Sequence, residues 1–276
     1  MLPVQFISKQ IGIDKDVVYS WFSCMNTRVD IILCDKKEGK SKEIIETIYW
    51  RLKDFEKMGN YFDPLSELAA INTSGCNAPV IVNKDLFRMI KMCVGYHKLS
   101  GGYFDISVNS DKHTIDTLQY VHFSEEDSAI TLGKEGVRLD LSGFIKGYSL
   151  DKIRDILQEN GVENALVNMG NSSVLALGNH PVGEGWKIGI DFPAIPEHLK
   201  EIVLRDKCLT TSGNQYYGRK HIKSPYTGQY IEGIKGVSVI TDTATEGEAL
   251  STALFAAEPE NKHEILKHFE ATTYTF

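Results

Sequence analysis

Strand-like segments in this chain follow one another across turn-sized gaps, and that succession limits the architectures open to it. Val17–Phe22 and Val29–Leu33 carry the β-branched and aromatic residues of strands, with Met25-Asn26-Thr27 as the turn between them. Ala165–Met169 and Val174–Leu177 are joined by Gly170-Asn171-Ser172-Ser173, and Trp186–Ile190 follows. Beyond a proline-containing loop, Ile202–Leu204 and Lys207–Thr210 read as a further pair, Thr211-Ser212-Gly213-Asn214 as a turn, and Val237–Ile240 as the last strand. The strict strand–helix–strand alternation that builds parallel sheets is missing. The expectation is an α+β fold, mainly antiparallel sheet with packed helices, in one domain over residues 1–276.

Helical periodicity supplies the packing layer. Ser41 reads as the cap of a helix whose buried stripe is Ile44, Ile45, Ile48, Leu52 and Phe55, ending at Gly59. Ser66 reads as the cap of a short helix reaching Asn72. Asn83 opens another, with Leu86, Phe87, Ile90, Val94 and Tyr96 inward, that stops at Gly101-Gly102. Tyr103–Val108 then reads as a short strand, and residues 109–127 as loop with one short element. Ala129–Leu132 and Val137–Leu141 read as a hairpin around Gly133 and Gly136. Leu150, Ile153, Ile156 and Leu157 line a helix that ends at Gly161. Glu248–Ala257 is helical, and a final helix holds Ile265, Leu266 and Phe269.

The formal net charge of −7 argues against broad electrostatic binding to nucleic acid. No apolar run approaches the roughly 20 residues that span a bilayer. Met1-Leu2-Pro3-Val4 is not followed by a basic segment and a long apolar stretch, so the default expectation is a cytoplasmic protein. Five widely spaced cysteines with no CxxC pair indicate neither a structural zinc site nor a disulfide framework.

Four stretches have the residue types that chemistry needs. Leu139–Asp151 runs from an apolar strand through a glycine-bounded turn carrying Lys146 into an amphipathic helix. Such a junction aims N–H groups and the helix dipole outward and suits an anion; an ordinary turn with a solvated lysine is the alternative. Arg219-Lys220-His221-Ile222-Lys223 is a basic cluster in an acidic chain, open to a phosphate or carboxylate ligand or to plain solvation. Shortly upstream, Thr210-Thr211-Ser212-Gly213 offers hydroxyl and N–H donors compatible with phosphate. Glu248 and Thr252 share one helix face, and a carboxylate with a hydroxyl suits Mg²⁺ as readily as Glu suits a helix cap. Tyr61 and Phe62, beside a loop, suit either stacking on a planar ligand or core packing. His263 and His268 point about 140° apart on a helix and cannot share a metal.

In order along the chain, these segments resemble the ApbE-like flavin transferase family, the FAD:protein FMN transferases. Asp140–Asp151 is similar to that family's D-L-G-G-I-A-K-G-Y-A-V-D, and Leu166–Gly170 to its valine–asparagine–glycine strand. Thr211-Ser212-Gly213 is similar to T-S-G, His221–Gly228 to H-I-x-D-P-x-T-G, and Gly247–Ala253 to A-D-A-L-S-T-A. Phe62–Leu68 with Asn72 resembles F-D-P-x-S-E-L…N, and Gly102–Asp105 resembles G-x-F-D. Glu248 and Ser224 stand where the family has aspartates, and Asn26 where it often has glycine. The 108–140 stretch is shorter than the family norm, and the leader segment of its many exported lipoproteins is not seen.

The resemblance implies an ApbE-like, T-fold-related architecture and a Mg²⁺-dependent split of the FAD pyrophosphate. FMN moves to a threonine hydroxyl of an acceptor protein and AMP leaves. It implies that Tyr61 or Phe62 stacks on the flavin nucleotide and that Asn72, Phe104, Asp105, Lys146, Ser212 and Gly213 belong to its binding site. Glu248, Thr252 and the Ile145 carbonyl are implied as metal ligands, and His221 as the group that helps activate the attacking hydroxyl. Two rival functions follow from the departures: an FAD-binding relative with weakened catalysis, and an FAD pyrophosphatase giving FMN and AMP.

Overall fold

The computed structural model describes residues 3–11, 13, 16–190, 200–214, 218 and 220–276. Its frame is an antiparallel sheet of eight strands among the described residues, in the order β1-β2-β3-β7-β8-β11-β12-β13. These strands are β1 (Gln5–Gln10), β2 (Asp16–Cys24), β3 (Thr27–Leu33), β7 (Ala165–Met169), β8 (Ser173–Leu177), β11 (Lys207–Asn214), β12 (Lys235–Thr241) and β13 (Thr272–Thr275). The β2–β3 hairpin closes through Met25 and Asn26, both at positive φ (53° and 55°), the two-residue turn whose twist matches its flanking strands.

Helices α1 (Glu38–Gly59), α3 (Lys84–Leu99), α4 (Ile145–Glu159) and α5 (Ala244–Ala256) supply the main core together with one face of this sheet. Ile44, Ile45, Ile48, Leu52 and Phe55 of α1 are buried together with Val18, Phe22, Ile31 and Leu33 of β2 and β3. The other face carries a second core, built with β9 (Trp186–Ile190) and β10 (Lys200–Leu204). Strand β8 shows the two-sided demand directly. Leu175 and Leu177 join the helical core while Val174 and Ala176 join the second, so alternate side chains are apolar in both directions. A small sheet of β4 (Val80–Ile81), β6 (Ala129–Leu132) and β5 (Val121–Ser124) lies beside α2 (Glu67–Ser74). Helix α6 (Pro259–Leu266) precedes β13.

The α+β expectation holds, and several local expectations do not. Helix α1 starts at Glu38, and Ser41 lies inside it. The cap comes from elsewhere in the chain, since the Asp16 carboxylate accepts the Glu38 N–H at 2.8 Å. Tyr103–Val108 is a run of turns, because Asp105 accepts both the backbone N–H and the hydroxyl of Ser107. Val137–Leu141 does not pair with β6. The Asn72 amide takes both backbone groups of Leu139 (2.7 and 2.9 Å), and Ile106 accepts from Asp140 N–H. Strand β10 pairs with β9, while β11 enters the large sheet between β8 and β12.

Thr211–Asn214 continues β11 rather than turning, with Ser212 opposite Val237. The last strand is β13, not β12, and Phe269 lies beyond the end of α6. Lys146 sits inside the first turn of α4 rather than in the turn before it. The proline-containing loop of residues 191–199, and Arg219, lie outside the described residues.

Candidate active site

The site forms where α4, α5, the β7–β8 turn and β11 meet. Side-chain alternation decides which residues face it. Ser173, Leu175 and Leu177 of β8 look toward the helices, as do Cys208, Thr210, Ser212 and Asn214 of β11. Helix α5 must lie close to α4 for its side chains to meet those strands, and Gly147 permits this. A Cβ at that position would stand 2.5 Å from the Ala244 carbonyl oxygen and 2.6 Å from Glu248 Cγ. The same helices are tied end to side by Asp151 of α4. Its carboxylate accepts from the N–H groups of Ala244 (2.8 Å) and Thr245 (2.9 Å), which begin α5.

Glu248 is buried, and its Oε1 accepts a hydrogen bond from the buried hydroxyl of Ser173. Burial pushes its carboxyl above the usual range, while the nearby Lys146 ammonium and the Ser173 hydroxyl pull it back. Lys146, half-buried, donates to Ser172 Oγ, which lies 3.3 Å from Ser173 Oγ. One turn further along α5, a hydroxyl cluster forms. Ser212 Oγ lies 2.9 Å from Ser251 Oγ and 3.1 Å from Thr252 Oγ1. Lysine, carboxylate and the five hydroxyls of Ser172, Ser173, Ser212, Ser251 and Thr252 therefore come together from four segments: α4, α5, β11 and the β7–β8 turn.

The remaining expected residues have varied surroundings. The Ile145 carbonyl, at the start of α4, already accepts the Ser149 hydroxyl at 2.7 Å. Gly213 lies on β11 opposite Gly236. Tyr61 is half-buried against the main core and Phe62 is exposed, their rings edge-to-face at 5.2 Å. Both follow Gly59, which approaches Ile145 so closely that a Cβ there would stand 2.5 Å from its Cδ1. Asn72 is engaged at both ends of its amide by Leu139, at the approach to α4. Phe104 is buried with its ring centroid 5.8 Å from that of Phe144. Asp105 is enclosed, accepting from Ser107 and pairing with His113 Nε2 at 2.9 Å. Phe104 and Asp105 build a turn, with Phe104 packed on Phe144, the residue just before α4.

His221 is exposed at the foot of a hairpin in which Ile231 N–H donates to the Ile222 carbonyl. Asn214, two residues beyond Ser212, donates to the Ile231 carbonyl at 2.8 Å and so ties that hairpin to β11. The hairpin is also linked to the turn that precedes α4. Lys223 donates to Asn109, Asn109 donates to Asp140, and Asp140 accepts the Ser142 N–H. Ser224, in place of the family's aspartate, sits in the tight turn, where its carbonyl accepts from Gly228 N–H.

Ser172, Ser173 and Asp151 are not marked in the sequence as site residues. A serine inside a strand or helix carries no local signal, and only its tertiary partner shows its use.

The donor set is hard oxygen. Among the described residues no group of three or more His, Cys, Asp or Glu side chains converges. One carboxylate with neighbouring hydroxyls fits Mg²⁺, an ion that keeps water and phosphate oxygens in its shell. Among the described residues no helix is long and apolar enough to cross a membrane.

Comparison with known proteins identifies the family and the fold. The ApbE family model matches residues 25–276. A relative from Chlamydia trachomatis named FAD:protein FMN transferase is 29% identical over 227 residues, covering 71% of this chain and 70% of its own. One of the same name from Klebsiella pneumoniae is 23% identical over 266 residues, covering 85% and 82%. Among solved structures, the flavin transferase ApbE from Vibrio cholerae superposes with a TM-score of 0.82 at 19% identity, covering 94% of this chain and 93% of that one. The apo flavinyl transferase ApbE of Pseudomonas stutzeri gives 0.81 at 20% identity, with 96% and 94% covered. With the family model spanning all but the first strands and the fold shared end to end, the chain belongs to the ApbE family.

Proposed function

We propose that this protein moves FMN from FAD onto a threonine hydroxyl of an acceptor protein, releasing AMP. The observation that carries the reading is the convergence of Lys146, Glu248 and the Ser212–Ser251–Thr252 hydroxyls at one point of the fold. That set suits a diphosphate: an ammonium for its charge, hydroxyls for its oxygens, and a carboxylate for a cation. The names of the relatives support flavin transfer, and family membership supports the fold that holds it.

The balanced step is attack by the acceptor oxygen on the phosphorus of the FMN half. A phosphodiester forms, the P–O–P linkage breaks with its electrons going to AMP, and the hydroxyl proton departs. His221, exposed on the hairpin tied to β11, receives that proton. Lys146 compensates the charge on the pyrophosphate oxygens, and Tyr61 with Phe62 offers an aromatic wall beside the start of α4. Glu248, Thr252 and the Ile145 carbonyl, which also accepts the Ser149 hydroxyl, are the groups that would hold Mg²⁺. Mg²⁺, when bound, neutralises phosphate charge and assists departure of AMP. Excluding water from the acceptor's place is what separates transfer from hydrolysis.

The test is incubation of the purified protein with FAD, Mg²⁺ and a threonine-containing acceptor, followed by mass spectrometry of the acceptor and assay of AMP. The proposal requires covalently flavinylated acceptor and one AMP per event. AMP with free FMN identifies the hydrolase instead, and bound FAD with no AMP identifies a binding protein.

A further inference from the structure

The tandem serines of the β7–β8 turn carry an inference of their own, resting on the metal-dependent reading above. Ser172 Oγ accepts from Lys146 Nζ, and Ser173 Oγ donates to Glu248 Oε1. The two hydroxyls lie 3.3 Å apart on adjacent residues. A continuous polar chain therefore runs from the ammonium on α4 to the carboxylate on α5 through one short turn of the sheet. The turn is rigidly placed. Gly170 N–H donates to the Arg28 carbonyl, the Ser172 carbonyl accepts from Thr211 N–H at 2.7 Å, and Ser173 pairs with both Met169 and Thr210.

We propose that Ser172 and Ser173 are positioning residues with separate targets: Ser173 orients Glu248 for the divalent cation, and Ser172 orients Lys146 for the FAD pyrophosphate. A glutamate has one more rotatable bond than an aspartate, and Mg²⁺ accepts only a narrow octahedral arrangement. Fixing Oε1 on a buried hydroxyl removes that freedom. Among the described residues no hydrogen-bond donor meets Oε2, which leaves it for the ion. A donor behind a ligating carboxylate is the kind of outer-shell contact whose loss lowers metal affinity about 10–100-fold.

The experiment compares wild type, Ser173→Ala and Ser172→Ala. Mg²⁺ affinity is read from the rise in Tm with added ion at saturating FAD. FAD affinity is read from quenching of flavin fluorescence at saturating Mg²⁺. The expected pattern is crossed: Ser173→Ala weakens Mg²⁺ binding about 10-fold or more with FAD affinity within about 2-fold of wild type. Ser172→Ala weakens FAD binding several-fold and leaves Mg²⁺ affinity within the same limit. A general packing defect would move both affinities together in each variant, and that result overturns the proposal. So does a Ser173→Ala protein with wild-type Mg²⁺ affinity. Should Ser173→Ala fail to fold, Ser173→Cys keeps the side-chain size with a poor donor and is expected to show the same loss. A wild-type protein whose Tm ignores Mg²⁺ sinks the metal-dependent function itself, an outcome distinct from loss of the crossed pattern alone.

Discussion

Asp151 on α4 caps α5 from the side, its carboxylate accepting from Ala244 N–H at 2.8 Å as well as from the neighbouring Thr245. The first N–H groups of a helix have no partners within it, and a carboxylate there also meets the positive end of the dipole. Here the acceptor lies five residues beyond Lys146 on α4, while Glu248 lies one turn beyond Ala244 on α5. The cap thus sets the relative position of the two charged site residues. Asp151→Ala is expected to cost about 1–2 kcal/mol of stability, measured by urea unfolding, and to lower activity beyond what that loss accounts for at a temperature where the variant is folded.

Gly147 is expected to tolerate no side chain. Its Cβ would have to share space with a backbone carbonyl and with Glu248 Cγ, and backbone does not move aside as a flexible side chain can. Gly147→Ala should lose about 1–3 kcal/mol by overpacking and should weaken Mg²⁺ binding, since relief requires α5 to shift. Equilibrium unfolding together with metal titration checks both.

The raised carboxyl of Glu248 sets a pH dependence. Its folded form holds a proton more tightly than the unfolded chain does, because burial outweighs Lys146 and Ser173. Protons bound in the native state exceed those in the unfolded state between the two pKa values, so stability falls as pH rises through that window. Glu248→Gln, uncharged at every pH, should lack this component. In EDTA its Tm relative to wild type is expected to rise as pH increases from the ordinary carboxylate range upward. A difference in Tm that stays constant with pH would contradict the assignment. Mg²⁺-dependent AMP release should fall at least about 100-fold, as expected when charge compensation in a phosphoryl transfer is removed.

Lys146→Met keeps an apolar stem of similar length and removes the ammonium. A charge-assisted contact with a pyrophosphate is worth about 1.5–3 kcal/mol, so FAD affinity should drop by about 10-fold or more. Flavin fluorescence titration reads this directly.

His221→Ala should lower kcat about 10²–10⁴-fold, the usual contribution of a positioned general base, with little change in FAD affinity. A large fall in FAD affinity instead would make it a binding residue.

Local sequence determined the parts of this protein whose signals are local. The 3.6-residue period of Ile44, Ile45, Ile48, Leu52 and Phe55 marked α1, and Ser66 and Asn83 marked the starts of α2 and α3. The turn at Met25-Asn26 and the hairpin from Ala165 to Leu177 were legible for the same reason. The ordered motifs around Lys146, Ser212, His221 and Glu248 pointed to the family. Tertiary structure decided what distant segments do for one another. Asp16 replaced Ser41 as the cap of α1, and Asn72 drew Leu139 out of a hairpin. β10 chose β9 over β11, and β13 added a strand after the last helix. The serines behind Glu248 and Lys146 belong to this second kind. A hydroxyl in a strand is neutral to local propensity, and Ser173 meets a carboxylate only because folding buries Glu248 against it.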